Sequence, residues 1–113
     1  MLERELQNAV VDMAHLFGWM VHHCRPAQNK RGEWSTPIQG DAGFVDLVLA
    51  SDGRRSLCVE LKSERGRTTS AQDAWKRAIG REQYRLWRPE DWHNGTIENV
   101  LRGLVPSVSE PAR

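Results

Sequence analysis

Cysteine is scarce: Cys24 and Cys58 are the two in 113 residues, and they lack metal-ligand spacing. Both lie in apolar, strand-like runs, so they read as buried free thiols in a reducing cytosol. Long apolar runs are missing too. No stretch approaches the ~20 residues that span a bilayer. Glu3, Arg4 and Glu5 interrupt any secretory apolar segment at once. These absences set the expectation of a cytoplasmic protein without a membrane partner. There is no internal repeat or low-complexity segment. A net charge of +1 points to no partner by itself. The length suffices for one compact domain with a real core.

What the chain does have is an uneven charge distribution. Residues 53–88 hold ten Lys/Arg against four Asp/Glu, a local +6. Residues 1–52 hold four against seven, and residues 89–113 two against four. A basic middle between acidic ends suits a phosphate backbone running over the middle. A solvated basic helix would read the same on charge alone.

Two apolar, β-prone runs organise the chain. Gly43-Phe44-Val45-Asp46-Leu47-Val48-Leu49 is followed by a Ser51-Asp52-Gly53 turn and by Leu57-Cys58-Val59-Glu60-Leu61-Lys62. This spacing predicts a β-hairpin. Each run carries charge where a buried strand should not. Side chains alternate along a strand, so Glu60 and Lys62 share a face, and Asp46 can reach the same edge. Buried carboxylates are costly unless paired or bound to a cation. Two carboxylates beside a lysine make a site for a hard divalent metal with a cationic helper. The alternative is an edge hairpin with a solvated face, but Asp within Phe-Val-Asp-Leu-Val-Leu is poor strand chemistry.

Leu6, Val10, Met13 and Phe17 recur at helical spacing and predict an amphipathic helix over about residues 2–17, stopped by Gly18. At about 100° per residue, Glu3 falls roughly 50° from the centre of the apolar stripe and Glu5 about 110° away. Glu3 is therefore a candidate third metal carboxylate, or an acid favoured by the helix dipole, while Glu5 faces solvent. Trp19 to Cys24 reads as a strand. Adjacent strand residues face opposite sides, so at most one of His22 and His23 could join a site, and a structural role for both is the simpler reading.

Residues 25–42 form a long polar loop carrying Lys30, Arg31 and Trp34, either an arm touching nucleic acid or a partner subunit, or a plain surface loop. A basic turn, residues 63–69, precedes a helix with Ser70 as N-cap and Asp73 in the capping-box slot. Ala71, Trp75, Ala78 and Ile79 mark its apolar side, and Gly80 its end. Gln72 in its first turn can orient a metal water or a phosphate, or simply face solvent. Residues 83–88 read as a last strand, residues 89–92 as a turn, and residues 97–101 as a short helix. Residues 104–113, with Pro106 and Pro111, read as a flexible tail. The expected order is α-β-β-β-α-β-α, an α/β domain with a small mixed sheet flanked by helices.

Four groups of residues in this order resemble a known family: Glu3-Arg4-Glu5-Leu6, Gly43-Phe44-Val45-Asp46, Val59-Glu60-Leu61-Lys62-Ser63, and Ser70-Ala71-Gln72. Together they are similar to the VRR-NUC domain (virus-type replication-repair nuclease), a branch of the PD-(D/E)xK nuclease superfamily. The resemblance covers about residues 3–101, and Leu86-Trp87-Arg88-Pro89 and Asp91-Trp92 resemble the tail of its compact phage-type members. Val45 stands where the family usually has proline. The opening Glu-Arg-Glu-Leu also looks like the first helix of archaeal Holliday-junction resolvases.

The resemblance implies a nuclease domain over residues 1–103 and a restriction-endonuclease-like fold. Asp46 and Glu60 would ligate Mg²⁺ or Mn²⁺, with the Leu61 backbone carbonyl, joined by Glu3 directly or through water. Lys62 would position or deprotonate the attacking water and stabilise charge on the phosphate. Gln72 would support the arrangement. Arg65, Arg67, Lys30 and Arg31 would contact DNA. The implied activity is a metal-dependent, structure-selective DNA endonuclease, a Holliday-junction resolvase acting on four-way junctions as a homodimer, without a small-molecule cofactor, in a bacterial or phage-infected cell. Alternatives are a flap, nicking or end-trimming nuclease, or a nuclease-fold DNA-binding module that has lost catalysis.

Overall fold

The computed structural model describes residues 1–23, 27–28, 34–35 and 39–103. Cys24, Lys30, Arg31 and the 104–113 tail lie outside the described residues, as does most of the 25–42 loop.

The chain is a mixed α/β domain. Helix α1 (Glu3–Leu16) is followed by strand β1 (Met20–His23), a short antiparallel pair β2 (Ala27–Gln28) and β3 (Trp34–Ser35), then β4 (Leu47–Ala50) and β5 (Leu57–Leu61). Helix α2 (Ser70–Ile79) leads to β6 (Tyr84–Trp87), and α3 (Pro89–His93) and α4 (Thr96–Arg102) close the chain. The main sheet runs β1-β4-β5-β6. Its first three strands are antiparallel, and β6 lies parallel to β5, with α2 as the crossover that parallel pairing requires.

The expected order holds for the main elements, with two differences. The β2–β3 pair lies inside the stretch read as loop. Residues 89–92, read as a turn, instead open α3. Proline suits the first helical position as well as a turn, and Asp91 Oδ2 accepts the Arg88 N–H at 2.8 Å to close that helix start.

The pleat sorts the sheet's residues. Leu47, Leu49, Leu57, Val59, Leu61 and Trp87 fall on one face and are buried against Leu6, Val10 and Ala14 of α1 and Ile97 and Leu101 of α4. Full burial of each such side chain contributes about 1.5–3 kcal/mol. The other face carries Cys58, Glu60, Tyr84 and Leu86, by the register Cys58↔Tyr84 and Glu60↔Leu86. Cys58 is therefore half-buried on the second face instead of lying in the core. Burial still pushes its thiol above its usual pKa.

Helix α2 approaches this second face, and none of its residues is fully buried. Gly43 permits the approach. Its φ is +92°, and a Cβ there would stand 2.6 Å from the Ala71 carbonyl carbon and 2.7 Å from the Ala71 Cβ. Trp75 closes the same contact: its indole N–H donates to the Ala42 carbonyl at 3.0 Å and its ring meets Phe44 edge-on at 4.9 Å. Gly43→Ala should therefore cost about 2–4 kcal/mol, combining backbone strain with an overpacked contact. Gly53→Ala is the control, because Gly53 also has positive φ (+78°) but nothing within 4 Å. Denaturant unfolding should rank Gly43→Ala as clearly more damaging; equal costs would refute the contact's importance.

Candidate active site

Asp46 stands one residue before β4, where the backbone ladder with β5 ends. The last pair of that ladder is Leu47↔Val59. Asp46 continues it by other means: its N–H donates to the Val59 carbonyl at 3.0 Å, and its Oδ2 accepts the Leu61 N–H at 2.7 Å. A strand end thus aims one carboxylate across β5. This explains the Asp in an otherwise apolar run.

Glu60 projects from β5 toward the same place and is only 2% exposed, the one buried charged residue among the described residues. Its carboxyl lies beside that of Asp46, close enough to share a proton, and accepts Gln72 Nε2–H at 3.3 Å. Burial first, then proton sharing with Asp46 and the Asp46 charge, push the Glu60 pKa up to about 8. Lys62 opposes the shift and Glu3 adds to it. Two carboxyls in contact cannot easily both ionise; a proton between them relieves the repulsion, and so would a cation.

Lys62 follows β5 directly. Its N–H donates to the Trp87 carbonyl at 3.1 Å, and its stem passes Gly66, where a Cβ would lie 3.5 Å from Lys62 Cδ. Its ammonium makes no ion pair among the described residues, yet it lowers the pKa of both Glu60 and Glu3. A cation therefore stands beside the carboxylates without being neutralised by one of them.

Glu3 opens α1. Partial desolvation, then the charge of Asp46, raise its pKa, and Lys62 pulls it down. Glu5 plays a different part. Its Oε1 accepts the Leu2 N–H at 2.7 Å and closes the first turn. One helix start therefore sends Glu3 toward the carboxylate pair and uses Glu5 as a cap.

The cap of α2 is Thr69, not Ser70. Thr69 Oγ1 accepts the Gln72 N–H at 3.1 Å, and Gln72 Oε1 accepts the Thr69 N–H at 2.9 Å. With its oxygen committed to the cap, the Gln72 amide presents its NH₂ to Glu60. Asp73, expected in the capping-box slot, instead accepts from Thr68 Oγ1 at 2.8 Å.

Arg88 is a site residue that sequence reasoning does not reach. Its Nη1 donates to the Ser63 and Gly66 carbonyls at 2.7 Å each and to Glu64 at 3.4 Å. It straps the loop after Lys62 to the end of β6 and leaves Arg65 and Arg67 beside it. Its sequence signal is its place in Leu86-Trp87-Arg88-Pro89, which assigns it no role.

The two histidines stay out of the site. His23 Nδ1 lies 3.5 Å from Gln7 Nε2, and neither ring ion-pairs with a site carboxylate among the described residues. Among the described residues, no group of three or more His, Cys, Asp or Glu side chains is gathered for a metal ion. Asp46 and Glu60 are the contacting pair, and Glu3 senses Asp46 through charge. The donors nevertheless fit a hard cation in kind: carboxylate oxygens and the Leu61 main chain at a strand end, where Mg²⁺ takes one or two carboxylates and keeps waters. Comparison with protein-family models, curated proteins and solved structures finds no match for the chain.

Proposed function

We propose that this protein is a divalent-metal-dependent DNA endonuclease of the PD-(D/E)xK type, similar to VRR-NUC domains, with residues 1–103 as its nuclease domain. The observation that carries this reading is the buried Glu60 carboxyl in contact with Asp46, with the Lys62 ammonium alongside. A stability-driven sheet has no use for this arrangement, because burying paired acids costs free energy.

Asp46, Glu60 and the Leu61 carbonyl would hold Mg²⁺ or Mn²⁺, with Glu3 joining directly or through water. Such an ion would acidify a bound water and shield the phosphate's charge. Lys62 holds or deprotonates the attacking water and faces the charge developing on the phosphate. Gln72 fixes the Glu60 carboxyl from the α2 cap. Arg65 and Arg67 take neighbouring phosphates, and Lys30 and Arg31 belong to the same proposed DNA surface.

The substrate we assign is branched DNA, with the four-way junction as the leading case. One such domain carries one site, and symmetric cutting of a junction needs two sites related by a two-fold axis. A homodimer supplies them. No helix among the described residues is long and apolar enough to cross a membrane, and a cytoplasmic location is part of the same proposal.

Labelled four-way junction, flap, splayed and linear duplex DNA, incubated with Mg²⁺ or Mn²⁺, test the reading together with light scattering. A dimer that cuts the junction at paired positions is the expected result. A monomer that cuts linear duplex equally well would remove the resolvase assignment, and no cleavage of any substrate would remove the nuclease. Glu3→Gln should reduce cleavage far more than Glu5→Gln, whose amide oxygen still accepts the Leu2 N–H and whose main effect should be a loss of about 0.3–1 kcal/mol from the missing first-turn charge. The reverse order of activities would show that Glu3 is not the site acid.

A further inference from the structure

The groove between α2 and β6 belongs to none of the residues assigned above. It is a cavity of about 440 Å³ rimmed by Lys76, Arg77, Arg81 and Arg85, with Tyr84 and Leu86 in its wall, and no carboxylate lines it. The acids closest in sequence are engaged elsewhere: Glu82 pairs with Arg55, and Asp73 accepts from Thr68. Lys76, Arg77 and Arg81 make no ion pair among the described residues. Arg85 pairs with Val59 in the register, on the face opposite Tyr84 and Leu86, and its Nη1 donates to the Arg81, Glu82 and Tyr84 carbonyls at 3.1, 3.2 and 2.9 Å, so it is no part of the proposed contact. Three cations without an ion pair among the described residues line one concavity, and their mutual repulsion is relieved by a polyanion.

Its position in the fold decides which polyanion. Leu86 is the sheet neighbour of Glu60 on the same face, so the groove begins one strand spacing, about 4.8 Å, from the carboxylate pair. Helix α2 connects the two places. Its first turn holds Gln72 against Glu60, and its last turns carry Lys76 and Arg77. Ten helical residues span about 15 Å, an axial length over which one strand of duplex DNA places about four phosphates. The Arg65–Arg67 loop lies at the other end of α2.

We propose that the α2–β6 groove is a second backbone-binding surface, in which Lys76, Arg77 and Arg81 contact phosphates of a nucleic acid strand leaving the carboxylate site. This rests on the nuclease reading above, and it gives the substrate strand a path: past the Arg65–Arg67 loop, over the carboxylates, and along α2.

The experiment is fluorescence anisotropy with a labelled DNA duplex and a labelled four-way junction, in chelator to prevent cleavage, across a salt series. Wild type is compared with Lys76→Gln/Arg77→Gln/Arg81→Gln and with Arg65→Gln/Arg67→Gln; thermal unfolding checks that the variants are folded. The triple variant should bind about tenfold or more weakly, on unrelated sequences alike, and its slope of log affinity against log salt should fall by about 2 to 3. If it matches wild type in affinity and slope while Arg65→Gln/Arg67→Gln is weakened, the groove proposal is overturned and the nuclease reading stands. If wild type binds no DNA, both are overturned.

Discussion

Glu60→Gln should abolish DNA cleavage, by about a thousandfold or more, while the protein remains folded. The variant keeps the shape of the side chain and its contact with Gln72, but it removes one of two charged oxygen donors from the proposed ion. Metal activation of water and phosphate is worth several kcal/mol, and each 1.36 kcal/mol is tenfold in rate. Asp46→Asn should do the same. Stability separates this from simple damage. In chelator, the raised pKa of Glu60, about 8 against an ordinary 4.5, means that the folded chain keeps a proton which the unfolded chain releases. A carboxyl shifted upward stabilises the protonated fold relative to the ionised one, and stability falls as pH rises from the unfolded pKa to the folded value. Metal-free wild type should therefore lose stability between about pH 4.5 and 8, and Glu60→Gln should flatten that decline. Full activity in Glu60→Gln would end the assignment. Equal pH slopes in both proteins would show that Glu60 is not the strained group.

Lys62→Met should leave Mn²⁺ binding close to wild type and remove most of the turnover, about a hundredfold or more, the usual scale for a positioned proton-transfer or electrostatic group. The reason is geometric. Lys62 is held at the end of β5 by its N–H bond to Trp87, and its stem runs past Gly66 in the loop strapped by Arg88. Its ammonium stands near the carboxylates without being neutralised in an ion pair among the described residues. It thus influences their charge and remains available to water and phosphate. Methionine preserves the stem's packing and deletes the charge. Calorimetric Mn²⁺ titration and single-turnover cleavage at saturating metal separate the two roles. Lost metal affinity with normal turnover at saturation would contradict the assigned role.

The parts of this molecule that are readable from sequence are those where periodicity or alternation leaves one answer. The α1 phase separates Glu3 from Glu5, and the structure uses Glu5 as a cap and places Glu3 where it feels Asp46. Alternation places Glu60 and Lys62 together, and the odd Asp within an apolar run points to Asp46. Failures come where several residues offer the same local chemistry. Thr68, Thr69 and Ser70 can each cap a helix; Thr69 does so, in a reciprocal cap with the Gln72 that also meets Glu60. Pro89 suits a turn or a helix start, and Asp91 decides between them. The two-residue strands β2 and β3 are too short to show alternation. The alternation that joins Glu60 and Lys62 also puts Cys58 on their face, so the apolar run around it is a misleading sign of core burial. Arg88 is the hardest to read, because its three carbonyl partners lie 22 to 25 residues away and meet it through the parallel β5–β6 pairing.

We propose that Asp46 and Glu60 together hold a divalent metal. The measurement that reaches it most directly is anomalous X-ray scattering from crystals soaked in Mn²⁺ at a concentration that supports cleavage. The expected result is a manganese peak in direct contact with a carboxylate oxygen of Asp46, one of Glu60 and the Leu61 carbonyl oxygen, with Glu3 bonded directly or through one water. A peak elsewhere, or none at this pair, would contradict it.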